Sequence, residues 1–177
     1  AEKIIRSAPD DKKIVFAPDQ HLGRYLIRKI GRDMVLWPGS CEVHELFSEK
    51  KIVQLKLRHP DAKIIAHPEC EQSVLQHADH IGSTSSFLKF TAEDSATSFI
   101  VATEPGIIHQ MKKAAPEKEY IEAPSDSSCA CNECPYMRLN TMEKLYLALR
   151  DLEPTIELPT DLADRARLSV ERMLALG

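Results

Sequence analysis

Three of the five cysteines crowd into Cys129-Ala130-Cys131-Asn132-Glu133-Cys134, immediately before Pro135. Thiols this close on one segment can reach a single metal, contribute to an iron–sulfur cluster, or pair with each other. A tetrahedral zinc site needs four Cys or His ligands, and no second Cys-x-x-Cys is present to complete one. The other two cysteines follow apolar runs: Cys41 after Trp37-Pro38-Gly39-Ser40, and Cys70 at the end of His67-Pro68-Glu69-Cys70. His44 stands three residues after Cys41. A histidine beside a carboxylate, as in His67 and Glu69, is a natural acid–base or metal pair. Gly82-Ser83-Thr84-Ser85-Ser86 offers hydroxyls and backbone N–H groups to a phosphate or carboxylate.

Each of these residues also has a plainer use. Cys41 could fill a small apolar space, His44 could sit on the surface, and Ser83 could merely cap a helix. On spacing alone both kinds of use stay open, as does the choice between a zinc- or thiol-binding α/β module and an iron–sulfur site.

The elements that must position these groups alternate between short apolar runs and amphipathic stretches. The pattern predicts strands over Lys13–Ala17, Met34–Trp37, Ala62–Ala66, Phe99–Ala102 and Glu119–Glu122, and a short strand from Ile81. Between them it predicts helices over Leu22–Ile30, His44–His59, Glu71–His80, Phe87–Thr97 and Gly106–Ala114. Strands followed by helices at this spacing argue for βαβ units and parallel sheets. Ligands of such sheets gather beyond the carboxyl ends of the strands. There the sequence places Asp19, Cys41, His67, Glu69, Ser83, Thr84 and Thr103. That coincidence is the main reason to expect a functional site. Beyond Pro124 comes a Ser/Asp/Asn/Cys loop, with Pro135 suited to a first helical turn. Helices are expected over Thr141–Leu149 and Asp161–Leu176, the latter with Leu162, Ala166, Leu168 and Leu174 facing inward.

The 177 residues suffice for one or two compact domains, and 43% hydrophobic with 28% charged residues is ordinary for a globular protein. The formal net charge of −4 gives no basic field for nucleic acid. No apolar run approaches the roughly 18 residues that span a bilayer. Odd-numbered, clustered cysteines suit a reducing compartment better than a disulfide framework, so a cytoplasmic location is expected. The opening Ala1-Glu2-Lys3-Ile4-Ile5-Arg6 reads like the middle of a helix with no initiator methionine, which suggests a preceding segment.

Several strings together resemble the iron–sulfur quinolinate synthase A family. They are Phe16-Ala17-Pro18-Asp19-Gln20-His21-Leu22-Gly23-Arg24-Tyr25, Trp37-Pro38-Gly39-Ser40-Cys41-Glu42-Val43-His44, His59-Pro60-Asp61-Ala62-Lys63 and His67-Pro68-Glu69-Cys70. Gly82-Ser83-Thr84-Ser85, Ala102-Thr103-Glu104 and Cys134-Pro135-Tyr136-Met137-Arg138-Leu139-Asn140 extend the match, in order, over nearly the whole chain.

The resemblance implies condensation of iminoaspartate with dihydroxyacetone phosphate to quinolinate, on a [4Fe–4S] cluster held by three cysteines with one iron open. It implies repeated three-layer αβα domains with short parallel sheets. Residues 1–40 would finish a second domain, 41–124 would form a third, and 125–177 would carry a cluster-binding loop and C-terminal helices that pack back on a first domain. Cys41 and Cys134 would be cluster ligands, with Cys129 and Cys131 as accessory thiols and Cys70 as no ligand. His44, His67 and Glu69 would be catalytic and substrate-contacting, and Ser83 and Thr84 substrate-binding. The first cluster cysteine would lie upstream, leaving this chain inactive alone. A functional link to L-aspartate oxidase and a homodimer are the partnerships it suggests.

Overall fold

The computed structural model describes residues 1–126 and 132–176; Cys129 and Cys131 therefore lie outside the described residues. The chain divides into two compact units, one of Val15–Cys134 and one of Ala1–Ile14 with Pro135–Gly177.

The Val15–Cys134 unit holds two sheets, both parallel. The smaller pairs β1 (Val15–Phe16) with β2 (Val35–Leu36). The larger contains β3 (Lys63–Ala66), β4 (His80–Ile81), β5 (Ser98–Ala102) and β6 (Glu119–Glu122) in the order β4-β3-β5-β6. Parallel strands need crossover helices, and those helices cover both faces of the sheet. Alternation along the central strands shows this directly. Ile64, Ala66, Ile100 and Ala102 face one core with Ile52, Leu55, Val74 and Leu75. Ile65, Phe99 and Val101 face a second core with Phe87, Ile108 and Met111. The side-chain period of two thus sends neighbouring residues into opposite cores, giving three αβα layers.

Helix α2 (Gln20–Ile30) begins at the Asp19 cap and ends at Gly31, whose φ of 74° lies in the left-handed region that glycine occupies without strain. The expected helix over 44–59 is broken into α3 (Glu42–Glu45) and α4 (Glu49–Arg58). The 124–126 segment captures the backbone between them: the Ser48 amide donates to Pro124 O at 3.1 Å, and the Asp126 amide to Leu46 O at 3.0 Å. Helix α5 (Gln72–Leu75) is shorter than expected because the edge of β3 recruits the residues beyond it. Asp79 exchanges 2.8 Å bonds with Ile64, its amide donating to the carbonyl and its carboxylate accepting from the amide. Helix α6 (Thr84–Glu93) starts earlier than expected, at the Ser83 cap. It stops where the Asp94 carboxylate binds the Ala96 amide at 2.8 Å and Lys63 Nζ at 2.6 Å. Helix α7 spans Ile107–Ala114.

The other unit contains α1 (Glu2–Ser7), a 3-10 turn (Met137–Leu139), α8 (Met142–Asp151) and α9 (Thr160–Ala175). Pro135 precedes that 3-10 turn and does not enter an α-helix directly. Thr141 caps α8, accepting from the Lys144 amide at 3.2 Å. No residue of α8 or α9 is buried, and Leu162, Ala166, Leu168 and Leu174 are all exposed. The helical period is present, but among the described residues nothing covers that face.

Candidate functional site

Cys41, His44 and Glu69 converge beyond the carboxyl ends of the strands, with ligand atoms all within 4.8 Å of one another. Cys41 precedes α3 and accepts at its carbonyl from the His44 and Glu45 amides, both at 3.1 Å. This first turn swings the His44 ring inward, where it is buried. Its Nε2 lies 3.0 Å from Thr103 Oγ1 at the end of β5. Its Nδ1 lies 3.1 Å from Glu69 Oε2, within ion-pair distance. His67 follows β3, and its ring stacks on His44 with centroids 4.5 Å apart and planes at 16°.

These contacts drive the two stacked histidines apart in proton affinity. Burial alone would lower His44, but the Cys41 thiol and Glu69 carboxylate overcome it and raise its pKa to about 9. Burial and the neighbouring His44 cation lower His67 to about 4, with Glu69 and Asp19 partly opposing. The Glu69 amide donates to His67 Nδ1 at 3.4 Å, which assigns the neutral ring's proton to Nε2. His44 also pulls the Cys41 thiol below its ordinary value, against burial, and holds the Glu69 carboxyl low. The result is a thiol drawn below its ordinary value, an imidazolium and a carboxylate in contact, beside a neutral imidazole. Such a set can offer soft and hard ligands to a metal, or move protons at a bound molecule.

The remaining expected site residues lie apart from this group. Ser83 and Thr84 are exposed at the start of α6, one strand over, where the Gly82 amide donates to Ala66 O at 3.3 Å. The Ser83 hydroxyl accepts from the Ser86 amide at 3.3 Å, so it caps the helix as well. A Cβ on Gly82 would meet Ser86 Oγ at 2.6 Å and His80 Nε2 at 2.9 Å, so a larger residue there would have to push these side chains aside. Cys134 is half-buried and packs against the same core as Cys41, outside the 4.8 Å group. Cys70 is fully buried, its thiol donating toward Ala102 O at 3.5 Å, and burial pushes its pKa upward; it is a core residue.

Two contributors were not singled out by sequence as site residues. Thr103 and Asp19 were visible only as polar residues after strands. Thr103 turns out to hold His44, and Asp19 accepts from the Cys41 amide at 3.0 Å.

The fold and site define an α/β protein with a metal-capable Cys/His/Glu group at its strand ends. Comparison with known proteins narrows this. A profile of the family described as Quinolinate synthetase A protein matches residues 1–175. A quinolinate synthase of Microcystis aeruginosa (strain NIES-843 / IAM M-2473) is 60% identical over 177 residues, covering 100% of this chain and 56% of the relative. Those of Gloeothece citriformis (strain PCC 7424) and Cyanophora paradoxa are 57% and 56% identical over the whole chain, covering 55% and 54% of their lengths. The chain belongs to the quinolinate synthetase A family, and spans a little over half the length of these relatives.

Proposed function

We propose that this chain supplies two cysteine ligands, Cys41 and Cys134, and the acid–base groups of a [4Fe–4S] quinolinate synthase that condenses iminoaspartate with dihydroxyacetone phosphate. The observation that carries the reading is the contact of Cys41, His44 and Glu69 at the strand ends, in which the thiol is drawn toward thiolate. Thiolate is the form that binds iron. A third cysteine would come from the part of the relatives that this chain does not span, so the chain alone would be inactive. An open iron of the bound cluster would supply Lewis-acid activation of a substrate oxygen.

The rest of the chemistry falls to this chain's own side chains. The His44 imidazolium, with Ser83, Thr84 and the N-terminus of α6, would attract the substrates' carboxylates and phosphate. Glu69 would take and return protons during the dehydration steps, and His67, neutral with its proton on Nε2, would donate to a substrate oxygen. We place the enzyme in the cytoplasm, where thiolates stay reduced. No helix is long and apolar enough to cross a membrane among the described residues. Iminoaspartate hydrolyses readily as a free imine, which favours direct supply by an L-aspartate oxidase; we propose a homodimer as the assembly.

Anaerobic iron and sulfide analysis of the complete protein tests this reading. About four irons per chain are expected, with loss of the cluster in Cys134→Ser; an intact cluster in that variant overturns the ligand assignment. One observation favours a second reading. The 4.8 Å spacing of Cys41, His44 and Glu69 would also suit a single zinc-type ion. Stoichiometric zinc without sulfide in protein purified anaerobically would establish that reading.

A further inference from the structure

The loops after β1 and β2 are tied together by one buried carboxylate. Asp19 is 3% exposed, yet both of its oxygens are used. Oδ1 accepts from the Leu22 amide at 2.7 Å and caps α2; Oδ2 accepts from the Cys41 amide at 3.0 Å. The same two loops are joined by the Gln20 amide donating to Gly39 O at 2.8 Å, and the strands by the Trp37 amide donating to Phe16 O at 2.9 Å. Cys41 is therefore gripped on both sides of its Cα. Its amide is held by Asp19 and its carbonyl by the first turn of α3. The direction of its Cα–Cβ bond follows from that grip.

We propose that Asp19 is a positioning residue for the cluster ligand Cys41, fixing the thiolate's direction and tuning the cluster it binds; the proposal rests on the reading of Cys41 as a ligand. The Asp19 carboxylate holds the Cys41 amide and brings a negative charge beside the ligand, and negative charge near a cluster lowers its potential. The side chain must also be a carboxylate. An asparagine has one accepting oxygen, and its NH₂ would face the second amide donor to donor. A glutamate keeps the charge, but its extra methylene displaces the fork from two amides set by fixed backbone.

The test uses the complete, cluster-loaded protein. In Asp19→Asn, iron loss to a chelator is expected to speed up about 10–100-fold, the range seen when partners of metal ligands are removed. The midpoint potential should move positive and the EPR signal of the reduced cluster should change. Asp19→Glu should lose iron faster while its potential stays closer to the parent's. Thr141→Ala removes a helix cap of the same kind, far along the chain from Cys41, and should move none of these readings. Unchanged iron loss, potential and EPR in Asp19→Asn, with only a lower melting temperature, would show a helix cap and nothing more. Hydrogen exchange in the parent protein gives an answer independent of any variant: a protected Cys41 amide supports the proposal, and a freely exchanging one overturns it. Cys41→Ser separates the two levels. If that variant keeps its iron and sulfide, the ligand reading itself fails; if it loses them while Asp19→Asn is unaltered, only the role of Asp19 fails.

Discussion

The strand ends around His44 and the helices α8 and α9 are built from equally ordinary sequence, yet they differ in what surrounds them. Near His44, side chains from α3, β3 and β5 meet, and the sheet behind them is packed on both faces. Along α8 and α9 the apolar positions recur at helical spacing, but none is buried. Burial is what turns a histidine into a strongly shifted group, because only in a dry, crowded site do a neighbouring thiol and carboxylate outweigh water. An amphipathic stripe secures a helix, whereas burial requires a second surface.

The contrast can be broken or sharpened by experiment. The largest expected effect is on turnover in the complete enzyme: Glu69→Gln should lower kcat by about 10²–10⁴-fold while keeping the cluster, and retained kcat would remove Glu69 from the chemistry. Next is the sheet behind the site. Phe99 is fully buried, and Phe99→Ala should cost about 3–5 kcal/mol in urea unfolding. A loss below about 1 kcal/mol would mean that this core is looser than described.

The stacked histidines give a smaller, pH-dependent signature in the metal-free chain. His44 titrates near 9 when folded against an ordinary 6.5, so its contribution is fully present below 6.5 and is lost as pH rises to 9. His67 titrates near 4, so its contribution is present above 6.5 and is lost as pH falls to 4. The lowered Cys41 thiol opposes the upper limb, so proton NMR is the direct check: it should resolve one imidazole titrating above the ordinary 6.5 and one below it. Two coincident titrations near the ordinary value would contradict the stacked, charge-split arrangement. The smallest effect belongs to the uncovered helices. Leu174→Ala on α9, where Leu174 is 69% exposed, should change the stability of this 177-residue chain by no more than about 0.5 kcal/mol. A larger loss would show that α9 is covered after all.

Much of the architecture was legible in the residues. Apolar runs ended by Pro18-Asp19, Pro38-Gly39 and His67-Pro68 marked strand ends, and Gly31 marked a helix end, because turn and cap preferences are local. The helix boundaries that failed did so where distant backbone competed. Leu46–Ser48 is held by residues 124–126, and Asp79 by β3. The site shows the same division. Cys41, His44, His67 and Glu69 were recognisable by type and by position after a strand. That His44 would sit between a thiol and a carboxylate while His67 stacked on its face was not, since stacking leaves no periodic trace.

By itself, then, the sequence determined the alternation of strands and helices and which side chains were available for metal-binding or acid–base work, because these depend on side-chain chemistry and on periods of a few residues; the family followed from whole strings of residues in order. Tertiary structure alone decided that Asp19 reaches Cys41 across 22 positions and that His44 reaches Thr103 across 59. It also decided that two neighbouring imidazoles hold their protons so differently. Those outcomes depend on which groups share a buried volume, and sharing is set by the parallel pairing of strands far apart in the chain.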